Sequence, residues 1–302
     1  MDALNIISVF DGIACGRVAL ERANIPVGVY NAFEIDPYAI QVSQQNWPEI
    51  IQKGDVTTAD FSQYRGFDLL MGGSPCQSLS IVQSKTRQHL DGKSKLFFEY
   101  VRAKEEINPK WFLFENVASM NDESRQVISE CLGCQPLLIN SANFSAQQRP
   151  RLYWTNIPVN MSLLPSCGDT LKDIMLAPEE VAPNYWHKEG FDFHGEDKPV
   201  CATLHINGHD IIKRVHSPET KSHTLLCDGG GGNRQKKVYQ AGRCRKLTPL
   251  EYERLQTLPD NYTAGLSNSR RYTAIGNGWT VDVIAWILSF IPREMEVEAW
   301  MQ

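Results

Sequence analysis

Three segments of this 302-residue sequence place a chemically useful side chain directly after an apolar run. Asp11 stands in a glycine turn, Cys76 ends a Gly/Pro-rich turn, and Glu115 follows an apolar stretch. A thiolate is a nucleophile, and a carboxyl that is desolvated on one side can hold a proton for donation. The apolar runs before them are residues 5–10, 67–71 and 111–114. If these runs are neighbouring strands, the three groups belong to one active site.

The spacing of apolar residues predicts the elements that must position these groups. Residues 14–22 have helical spacing, and residues 27–34 form a second strand pattern. Strands that alternate with helices predict a parallel sheet with helices on both faces. In such sheets the ligand lies beyond the carboxyl ends of the strands. We therefore expect Asp11, Cys76 and Glu115 to gather at one edge of an α/β sheet.

The turn after the first run indicates which ligand binds there. It reads Gly12-x-x-x-Gly16, whereas a dinucleotide fingerprint requires G-x-G-x-x-G, so a nicotinamide or flavin cofactor is disfavoured. Glu34 ends the second run about twenty residues later, where a carboxylate can bind ribose hydroxyls. Asp55 follows a third short run and is placed to accept from an adenine amino group. Together these residues predict an adenosine ligand without a pyrophosphate.

Composition and charge limit the class of protein. The net charge is −5, yet residues 234–246 include six basic residues and no acidic one, and a second basic group consists of Lys85, Arg87, Lys93 and Lys95. The local field, rather than the net charge, governs contact with nucleic acid. We find no signal peptide and no run long enough to span a bilayer, which predicts a cytoplasmic protein without a membrane partner. The eight cysteines are expected to be free thiols, and Cys131 and Cys134 lack the further ligands of a zinc site, so no metal is expected.

Taken in order, these segments resemble the motifs of the cytosine-5 DNA methyltransferases over nearly the whole chain. The motifs are Asp11-Gly12, Glu34, Pro75-Cys76-Gln77, Glu115-Asn116-Val117, Gln147-x-Arg149-x-Arg151, Arg245-Lys246-Leu247-Thr248-Pro249 with Arg254-Leu255-Gln256, and Ala274-Ile275-Gly276-Asn277-Gly278. The first reads Asp-Gly-Ile-Ala-Cys-Gly, where the common bacterial pattern is F-x-G-x-G, and it is similar to the eukaryotic de novo branch. The motif at 147–151 and the compact chain are similar to bacterial and phage enzymes.

The resemblance implies a Rossmann-like, S-adenosylmethionine-dependent methyltransferase sheet with helices on both faces and a small, irregular target-recognition domain. The catalytic domain is expected over residues 1–160, target recognition over 161–243, and the closing motifs of the catalytic domain over 244–302. The implied cofactor is S-adenosylmethionine. The residues expected around it are Phe10, Asp11, Gly12, Ile13, Ala14, Cys15, Glu34, Ile35, Asp55, Val56, Thr57, Pro75, Asn277, Gly278 and Trp279.

The resemblance also implies the chemistry. Cys76 attacks carbon 6 of cytosine, Glu115 holds the N3/N4 edge and supplies a proton, and Arg151 orients Glu115. Arg149 is a further catalytic candidate. The target base must leave the duplex to be reached, and residues 78–95 are expected to form a flap over it. The residues expected to contact DNA are Ser80, Ile81, Val82, Lys85, Arg87, Thr224, Asn233, Arg234, Lys236 and Lys237.

Two other functions stay open from the sequence. A tRNA cytosine-5 methyltransferase shares the catalytic motifs, but that branch is marked by a Cys-Phe-Thr segment that this sequence lacks. A catalytically inactive DNA-binding regulator has no need of a nucleophile such as Cys76. The expected partner is duplex DNA in the nucleoid of a bacterial or phage-infected cell, in a restriction–modification setting. The oligomeric state stays open.

Overall fold

The computed structural model of the protein describes residues 2–75, 96–227 and 234–292. The chain divides into two compact units. Unit 1 takes in residues 1–139, 150–163 and 282–302, and unit 2 takes in residues 140–149 and 164–281. Residues 244–281 therefore belong to unit 2, and their predicted contribution to the catalytic domain stays a prediction. In the described ranges, no helix is both long and apolar enough to cross a membrane.

Strands and helices alternate through the first half of the chain, as the apolar spacing predicts. In chain order the strands are β1 (Leu4–Val9), β2 (Val27–Phe33), β3 (Ile51–Gln52), β4 (Leu69–Gly72), β5 (Trp111–Val117), β6 (Leu137–Asn140), β7 (Gln147–Gln148), β8 (Pro150–Thr155), β9 (Phe191–Phe193), β10 (Val200–Leu204), β11 (Arg214–His216), β12 (Ser222–His223), β13 (Lys237–Gln240) and β14 (Arg243–Lys246). The helices are α1 (Cys15–Arg22), α2 (Pro37–Asn46), α3 (Leu96–Ile107), α4 (Asp122–Leu132), α5 (Leu171–Ile174), α6 (Asp210–Lys213), α7 (Pro249–Leu255), α8 (Asn268–Asn277) and α9 (Val281–Leu288).

The sheet of unit 1 has the strand order β3-β2-β1-β4-β5-β8-β6. Each neighbouring pair among β1 to β5 is parallel, and β8 is antiparallel to β5. From β1 the chain builds outward through β2 and β3, and then crosses back to place β4 on the other side of β1. Such a reversal of strand order opens a ligand crevice beyond the carboxyl ends of the two strands where it occurs. The predicted α/β sheet is confirmed by this order.

A cluster of aromatic side chains in unit 1 holds β5 against its neighbours. The ring of Phe114 on β5 lies 5.3 Å from that of Phe97 and 4.7 Å from that of Tyr100, both on α3, and 5.9 Å from that of Trp154 on β8. All four side chains are fully buried. Tilted aromatic pairs of this kind stabilise a core beyond the apolar area that they bury. They hold in place the strand whose next residue is Glu115.

Unit 2 contains a five-stranded sheet with the order β14-β13-β11-β10-β9. The sequence predicted an irregular region here, because Pro, Gly, His and Asn obscure the alternation of strands that have five residues or fewer. The order Thr248-Pro249-x-Glu251 in the sequence predicts a capping box at the start of α7. It is confirmed, since Thr248 and Glu251 each accept a hydrogen bond from the other's backbone N–H. Glu251 also forms a fully buried ion pair with Arg245, with 2.6 Å between Oε1 and Nη2.

Candidate active site

Four strands of unit 1 reach the same level at the carboxyl edge of the sheet. Their paired residues form one row across β2, β1, β4 and β5, made up of Phe33, Val9, Gly72 and Phe114. The residues that follow this row include Glu34, Phe10 and Glu115, so the predicted functional segments meet at one edge. Because paired strands lie about 4.8 Å apart, the strands of Glu34 and Glu115 are roughly 14 Å apart, which leaves room for an extended ligand.

Gly72 sets the spacing between β1 and β4 in this row. A Cβ atom at residue 72 would lie 2.7 Å from Cγ2 and 2.8 Å from the carbonyl oxygen of Val9. Both distances are well inside van der Waals contact, so any larger residue would push the two strands apart. The glycine therefore allows the turn that contains Asp11 and the turn that leads to Cys76 to lie side by side.

The turn between β1 and α1 has a strained backbone. Phe10, Gly12 and Ala14 have φ angles of 57°, 60° and 60°. A left-handed conformation costs a residue with a Cβ roughly 1–2 kcal/mol, and strain of this kind is common at ligand-binding turns. A Cβ atom at Gly12 would meet no described atom within 4 Å. The backbone of this turn therefore borders open space that a ligand can enter.

Glu34 follows β2 and accepts hydrogen bonds from three backbone N–H groups. Its Oε2 accepts from Gly12 at 2.8 Å, and its Oε1 accepts from Ile35 at 2.7 Å and from Asp36 at 2.8 Å. The bond to Gly12 joins the end of β2 to the strained turn after β1. Since each carboxylate oxygen can accept two hydrogen bonds, Oε2 keeps one accepting position in the described structure. This geometry fits the predicted contact with a ribose hydroxyl.

Asp11 carries a buried carboxylate in the same turn. Its Oδ1 accepts a 2.7 Å hydrogen bond from the hydroxyl of Tyr30, whereas Oδ2 is buried and has no hydrogen-bond partner among the described residues. Burial raises the pKa of Asp11 to about 6, although the nearby hydroxyls of Ser8 and Tyr30 oppose this rise and the charge of Glu34 adds to it. A buried oxygen without a donor fits a positively charged group on the ligand.

The predicted adenine contacts follow β2 and β3. Asp55 begins a short 3-10 helix, Val56–Thr58. Its Oδ1 accepts from the backbone N–H of Thr57 at 2.8 Å and from the hydroxyl of that residue at 2.9 Å, which fixes the carboxylate. Ile35, next to Glu34, is 70 % exposed, and such an exposed side chain offers an apolar face to a flat ring. These positions fit the end of the ligand that carries adenine.

Glu115 forms an ion pair with Arg151, with 2.9 Å between Glu115 Oε1 and Arg151 Nε. The sequence predicted that this strand ends at Phe114, but β5 continues to Val117 because it pairs with β8. Glu115 lies opposite Tyr153, so Arg151, two residues earlier on β8, is its diagonal neighbour on the same face. Each side chain of the pair is only 13 % exposed. The structure thus brings together two of the predicted catalytic residues.

Asn116 links β5 to the turn that leads to the predicted nucleophile. Its Nδ2 donates to the carbonyl oxygen and the hydroxyl of Ser74 at 3.4 and 3.5 Å, and both residues are buried. Pro75 follows Ser74 and is the last described residue before the gap at 76–95. Several predicted site residues lie outside the described residues, namely Cys76, Ser80, Ile81, Val82, Lys85, Arg87 and Asn233.

Arg149, predicted as a catalytic candidate, bonds to backbone carbonyls within unit 2. Its Nη1 donates to Leu225 at 3.3 Å, and its Nη2 donates to Gly276 at 3.0 Å and to Gly278 at 3.1 Å. The side chain is buried, with 4 % exposed. Carbonyls at the end of a helix lack partners within it, and Arg149 supplies donors where α8 ends. These bonds favour a structural role over the predicted catalytic one.

The predicted DNA-binding residues of unit 2 differ in exposure. Arg234 is exposed, while Thr224 and Lys236 are half-buried. Lys237 is only 1 % exposed, its Nζ donates to the carbonyl of Gln235, and burial lowers its pKa to about 8. The cause is its place on β13, which lies between β14 and β11. The predicted contact between Lys237 and DNA is incompatible with this burial.

The remaining predicted cofactor residues lie where α8 ends in unit 2. Asn277 is exposed and accepts a hydrogen bond from the thiol of Cys227, and Gly278 is the C-cap of the helix. Trp279 is half-buried. The contact of these three residues with the cofactor stays a prediction.

Sequence reasoning missed Tyr30, the hydrogen-bond donor to Asp11. A tyrosine within an apolar strand reads as a core residue, and Tyr30 is indeed 1 % exposed. The available signal was its even spacing from Glu34, because alternate residues of a strand share a face. The polar side chains of Tyr30 and Glu34 on one face, near the carboxyl end of β2, indicate a polar site on that face of the sheet.

The doubly wound sheet, the strained turn after β1 and the carboxylates of Glu34 and Asp55 have the arrangement of an S-adenosylmethionine-dependent methyltransferase. The sequence also matches the C-5 cytosine-specific DNA methylase family at residues 4–166 and 202–293. The chain therefore belongs to this family. It is a DNA (cytosine-5-)-methyltransferase, and S-adenosylmethionine is its cofactor.

Known relatives cover different shares of the chain. The orphan methyltransferase M.SPRI of Bacillus phage SPR is 34% identical over 165 residues, which are 51% of this chain and 37% of that relative. The type II methyltransferase M.HhaI of Haemophilus parahaemolyticus is 26% identical over 95% of this chain and 94% of its own length. The Entamoeba histolytica methyltransferase EhMeth has the same fold, with a TM-score of 0.73 at 16% identity over 96% of this chain and 98% of that one.

Proposed function

We propose that Cys76, Glu115 and Arg151 carry out the methylation of carbon 5 of a cytosine that is flipped out of duplex DNA. The observation that carries this proposal is the ion pair of Glu115 and Arg151 at the carboxyl edge of the sheet. It lies on β5 and β8, and β5 is next to β4, whose end leads through Pro75 into Cys76. An oriented carboxyl thus borders the crevice, next to the strand whose end leads to the proposed nucleophile.

Carbon 5 of the neutral cytosine ring is a poor nucleophile. The ring must therefore be activated by the addition of a nucleophile from the enzyme. The thiolate of Cys76 adds to carbon 6, which forms a carbon–sulfur bond and raises the electron density at carbon 5. When bound, S-adenosylmethionine supplies the electrophilic methyl group. After carbon 5 is methylated, a base removes its proton and the carbon–sulfur bond breaks, which frees Cys76.

Glu115 acts on the N3/N4 edge of the base. Negative charge develops on N3 when Cys76 adds to the ring, and the protonated carboxyl of Glu115 stabilises this charge by donating its proton to N3. Glu115 takes this proton back when the carbon–sulfur bond breaks. Arg151 fixes the orientation of the carboxyl through the bond from Nε to Oε1. In this proposal Arg151 is a positioning residue that acts through Glu115.

The row of strand ends described above would hold the cofactor. The turn at residues 10–15 would border its methionine part, Glu34 would bind the ribose, and residues 55–57 with Ile35 would hold the adenine. The open space over Gly12 and the free accepting position of Glu34 Oε2 support this orientation. Pro75, which precedes Cys76 in the sequence, would then border the methyl group.

DNA contacts are proposed for residues 78–95 and for unit 2. Apolar side chains can fill the space that a flipped base leaves, and basic side chains bind phosphates. The proposed wedge is formed by Ile81 and Val82, with Ser80 beside them in the sequence. The proposed phosphate contacts are Lys85, Arg87, Arg234 and Lys236. The proposed base-reading segment is near Thr224 and Asn233. The proposed setting is the nucleoid, and the type II name of M.HhaI supports a place in restriction–modification.

Duplex DNA that carries 5-fluorocytosine tests the covalent step. Addition of Cys76 and methylation can proceed on this base, but fluorine cannot leave as the proton does, so the enzyme stays attached through its carbon–sulfur bond. We expect an adduct that survives denaturing electrophoresis and maps to Cys76. Cys76→Ser should give none, because a hydroxyl is far less ionised at neutral pH.

The half-buried cysteine Cys131 on α4, outside the proposed site, provides the matched control. Cys131→Ser should still form the adduct on DNA. An adduct on another cysteine, or turnover on this DNA without trapping, would contradict the proposed nucleophile. Trapping by tRNA rather than by duplex DNA would contradict the proposed substrate.

A further inference from the structure

Hydrogen bonds hold the backbone of Asp11 and one of its two carboxylate oxygens. Its backbone N–H donates to the carbonyl of Phe33 at 3.3 Å, and its own carbonyl accepts from the N–H of Ala14 at 3.2 Å. Its Oδ1 accepts from the hydroxyl of Tyr30 at 2.7 Å. The remaining oxygen, Oδ2, is buried without a hydrogen-bond partner among the described residues. The residue is therefore fixed in place, with one acceptor left over.

A buried carboxylate oxygen without a partner is costly, because the charge has lost water and gained nothing in return. Besides burial, the described groups that shift the pKa of this carboxyl are the hydroxyls of Ser8 and Tyr30 and the carboxylate of Glu34, and none of them is a cation. The compensating positive charge must come from outside this set. S-adenosylmethionine carries two positive charges, on its α-ammonium and its sulfonium.

We propose that Asp11 is the counter-ion of a cationic group of S-adenosylmethionine, which it contacts through Oδ2, and that Tyr30 is the positioning residue that holds this oxygen toward the ligand. The proposal rests on the placement of the cofactor's methionine part at residues 10–15. Arrival of the cation makes ionised Asp11 the favoured form. Where Asp11 is protonated in the free protein, binding of the cofactor therefore expels one proton to solvent.

The pH range of this exchange follows from the burial of Asp11. Burial raises the pKa of Asp11 in the free protein to about 6, so most molecules are protonated at pH 5 and few at pH 7. The α-ammonium stays charged over this range. By linkage, the Kd for S-adenosylmethionine should rise about tenfold from pH 7 to pH 5, and binding at pH 5.5 should release roughly three quarters of a proton.

Isothermal titration of the full-length protein with S-adenosylmethionine tests this proposal. Titrations at pH 5.0 to 7.0, in two buffers of different ionisation enthalpy, give both the Kd and the number of protons released. Asp11→Asn should weaken binding at pH 7 by tenfold or more and should abolish the proton release. Tyr30→Phe removes a bond that holds the pKa of Asp11 down, so the fall in affinity should begin at a higher pH, a shift that a purely structural role would not produce.

Asp68→Asn is the matched control, because Asp68 accepts from the N–H of Asn5 at the opposite edge of the same sheet. It should bind as the wild type does at each pH. A parallel titration with S-adenosylhomocysteine, which keeps the ammonium but lacks the sulfonium, separates the two sources of charge. An equal loss on both ligands in Asp11→Asn assigns the ammonium, and a loss on S-adenosylmethionine alone assigns the sulfonium.

Two results would overturn the inference, namely wild-type binding without proton release, or binding by folded Asp11→Asn within twofold of the wild type at pH 7. Circular dichroism establishes that each variant is folded. Failure of the proposed function is a separate result, because Cys76→Ala should lose methyl transfer and keep this proton-linked binding. An enzyme with intact proton release and no DNA product would contradict the function and leave this inference standing.

Discussion

The pair formed by Glu115 and Arg151 makes a quantitative prediction about catalysis. Arg151→Met keeps the length and apolar stem of the side chain but removes the guanidinium that bonds to Glu115 at 2.9 Å. Glu115 then loses the contact that fixes its orientation toward the base. We expect the rate of methyl transfer to fall, while the Kd for S-adenosylmethionine stays within about twofold, because Arg151 is placed on the base side of the crevice.

The size of the effect follows from the geometry of the bond. A hydrogen bond between charged groups is worth about 1.5–3 kcal/mol, and this one is shielded from water, since each side chain is 13 % exposed. As 1.4 kcal/mol corresponds to a factor of ten, the single-turnover rate should fall roughly 10- to 150-fold. Arg151→Lys retains a charge without the planar fork and should recover part of the rate. The assay is single-turnover transfer from labelled S-adenosylmethionine to duplex DNA.

A double-mutant cycle with Glu115→Gln tests whether Arg151 acts through Glu115. If it does, Arg151→Met should change the rate little once Glu115 is replaced, and the coupling energy should be about 1.5–3 kcal/mol. Urea unfolding of each variant identifies losses that come from the fold, since breaking a buried pair is destabilising. Additive effects on the rate, or an Arg151→Met rate within twofold of the wild type, would refute the reasoning.

Three further predictions concern stability and DNA binding. Burial raises the pKa of Asp11 to about 6 in the folded protein, so the folded protein binds this proton more tightly than the unfolded chain does. The stability that this difference contributes is fully present below pH 4 and is lost as the pH rises through 6. Asp11→Asn should therefore increase the free energy of unfolding at pH 8 by at most about 3 kcal/mol, and urea titrations should show this gain vanish near pH 4. Arg149→Met removes the donor from the carbonyls of Leu225 and Gly276, whereas the carbonyl of Gly278 keeps its bond from Gln256. The variant should be destabilised by about 2 kcal/mol or more, with methyl transfer per folded molecule retained; loss of transfer in a folded variant would restore its catalytic role. Arg234→Met should reduce the slope of log K against log salt for DNA by about 1, whereas Lys237→Met should leave it unchanged, and a reduced slope in the second variant would mean that Lys237 reaches DNA.

The positions of two strand ends were predictable because they depend on simple patterns. Apolar runs that stop before Asp11 and before Gly72 mark where β1 and β4 leave the core, and parallel strands present their carboxyl ends at one edge. The capping box of Thr248 and Glu251 was readable for a similar reason, since both partners lie within one helical turn. Local signals of this kind need no knowledge of distant contacts.

What the sequence could not supply depends on pairing between distant segments. β5 continues through Glu115 to Val117 because β8 pairs with it in antiparallel orientation, and no local pattern announces that partner. The burial of Lys237 has the same origin, since β13 becomes interior only when β11 and β14 flank it. The left-handed backbone of Phe10 is stabilised by the surrounding turn rather than by the residue itself.

The residues of the segment Gln147-x-Arg149-x-Arg151 have different roles in the structure, although the sequence alone does not distinguish them. Gln147 donates from Nε2 to the carbonyl of Leu255 and accepts at Oε1 from the N–H of Leu225, so it binds the backbone of unit 2 as Arg149 does. Arg151 instead lies on β8, where the register with β5 turns it toward Glu115. An arginine whose donors bind backbone carbonyls stabilises the fold. An arginine paired with a carboxylate at the carboxyl edge of the sheet is placed to orient that carboxylate. The five-residue motif therefore contains two side chains that bind the backbone of unit 2 and one, Arg151, with a proposed positioning role, and only the partners of each side chain distinguish them.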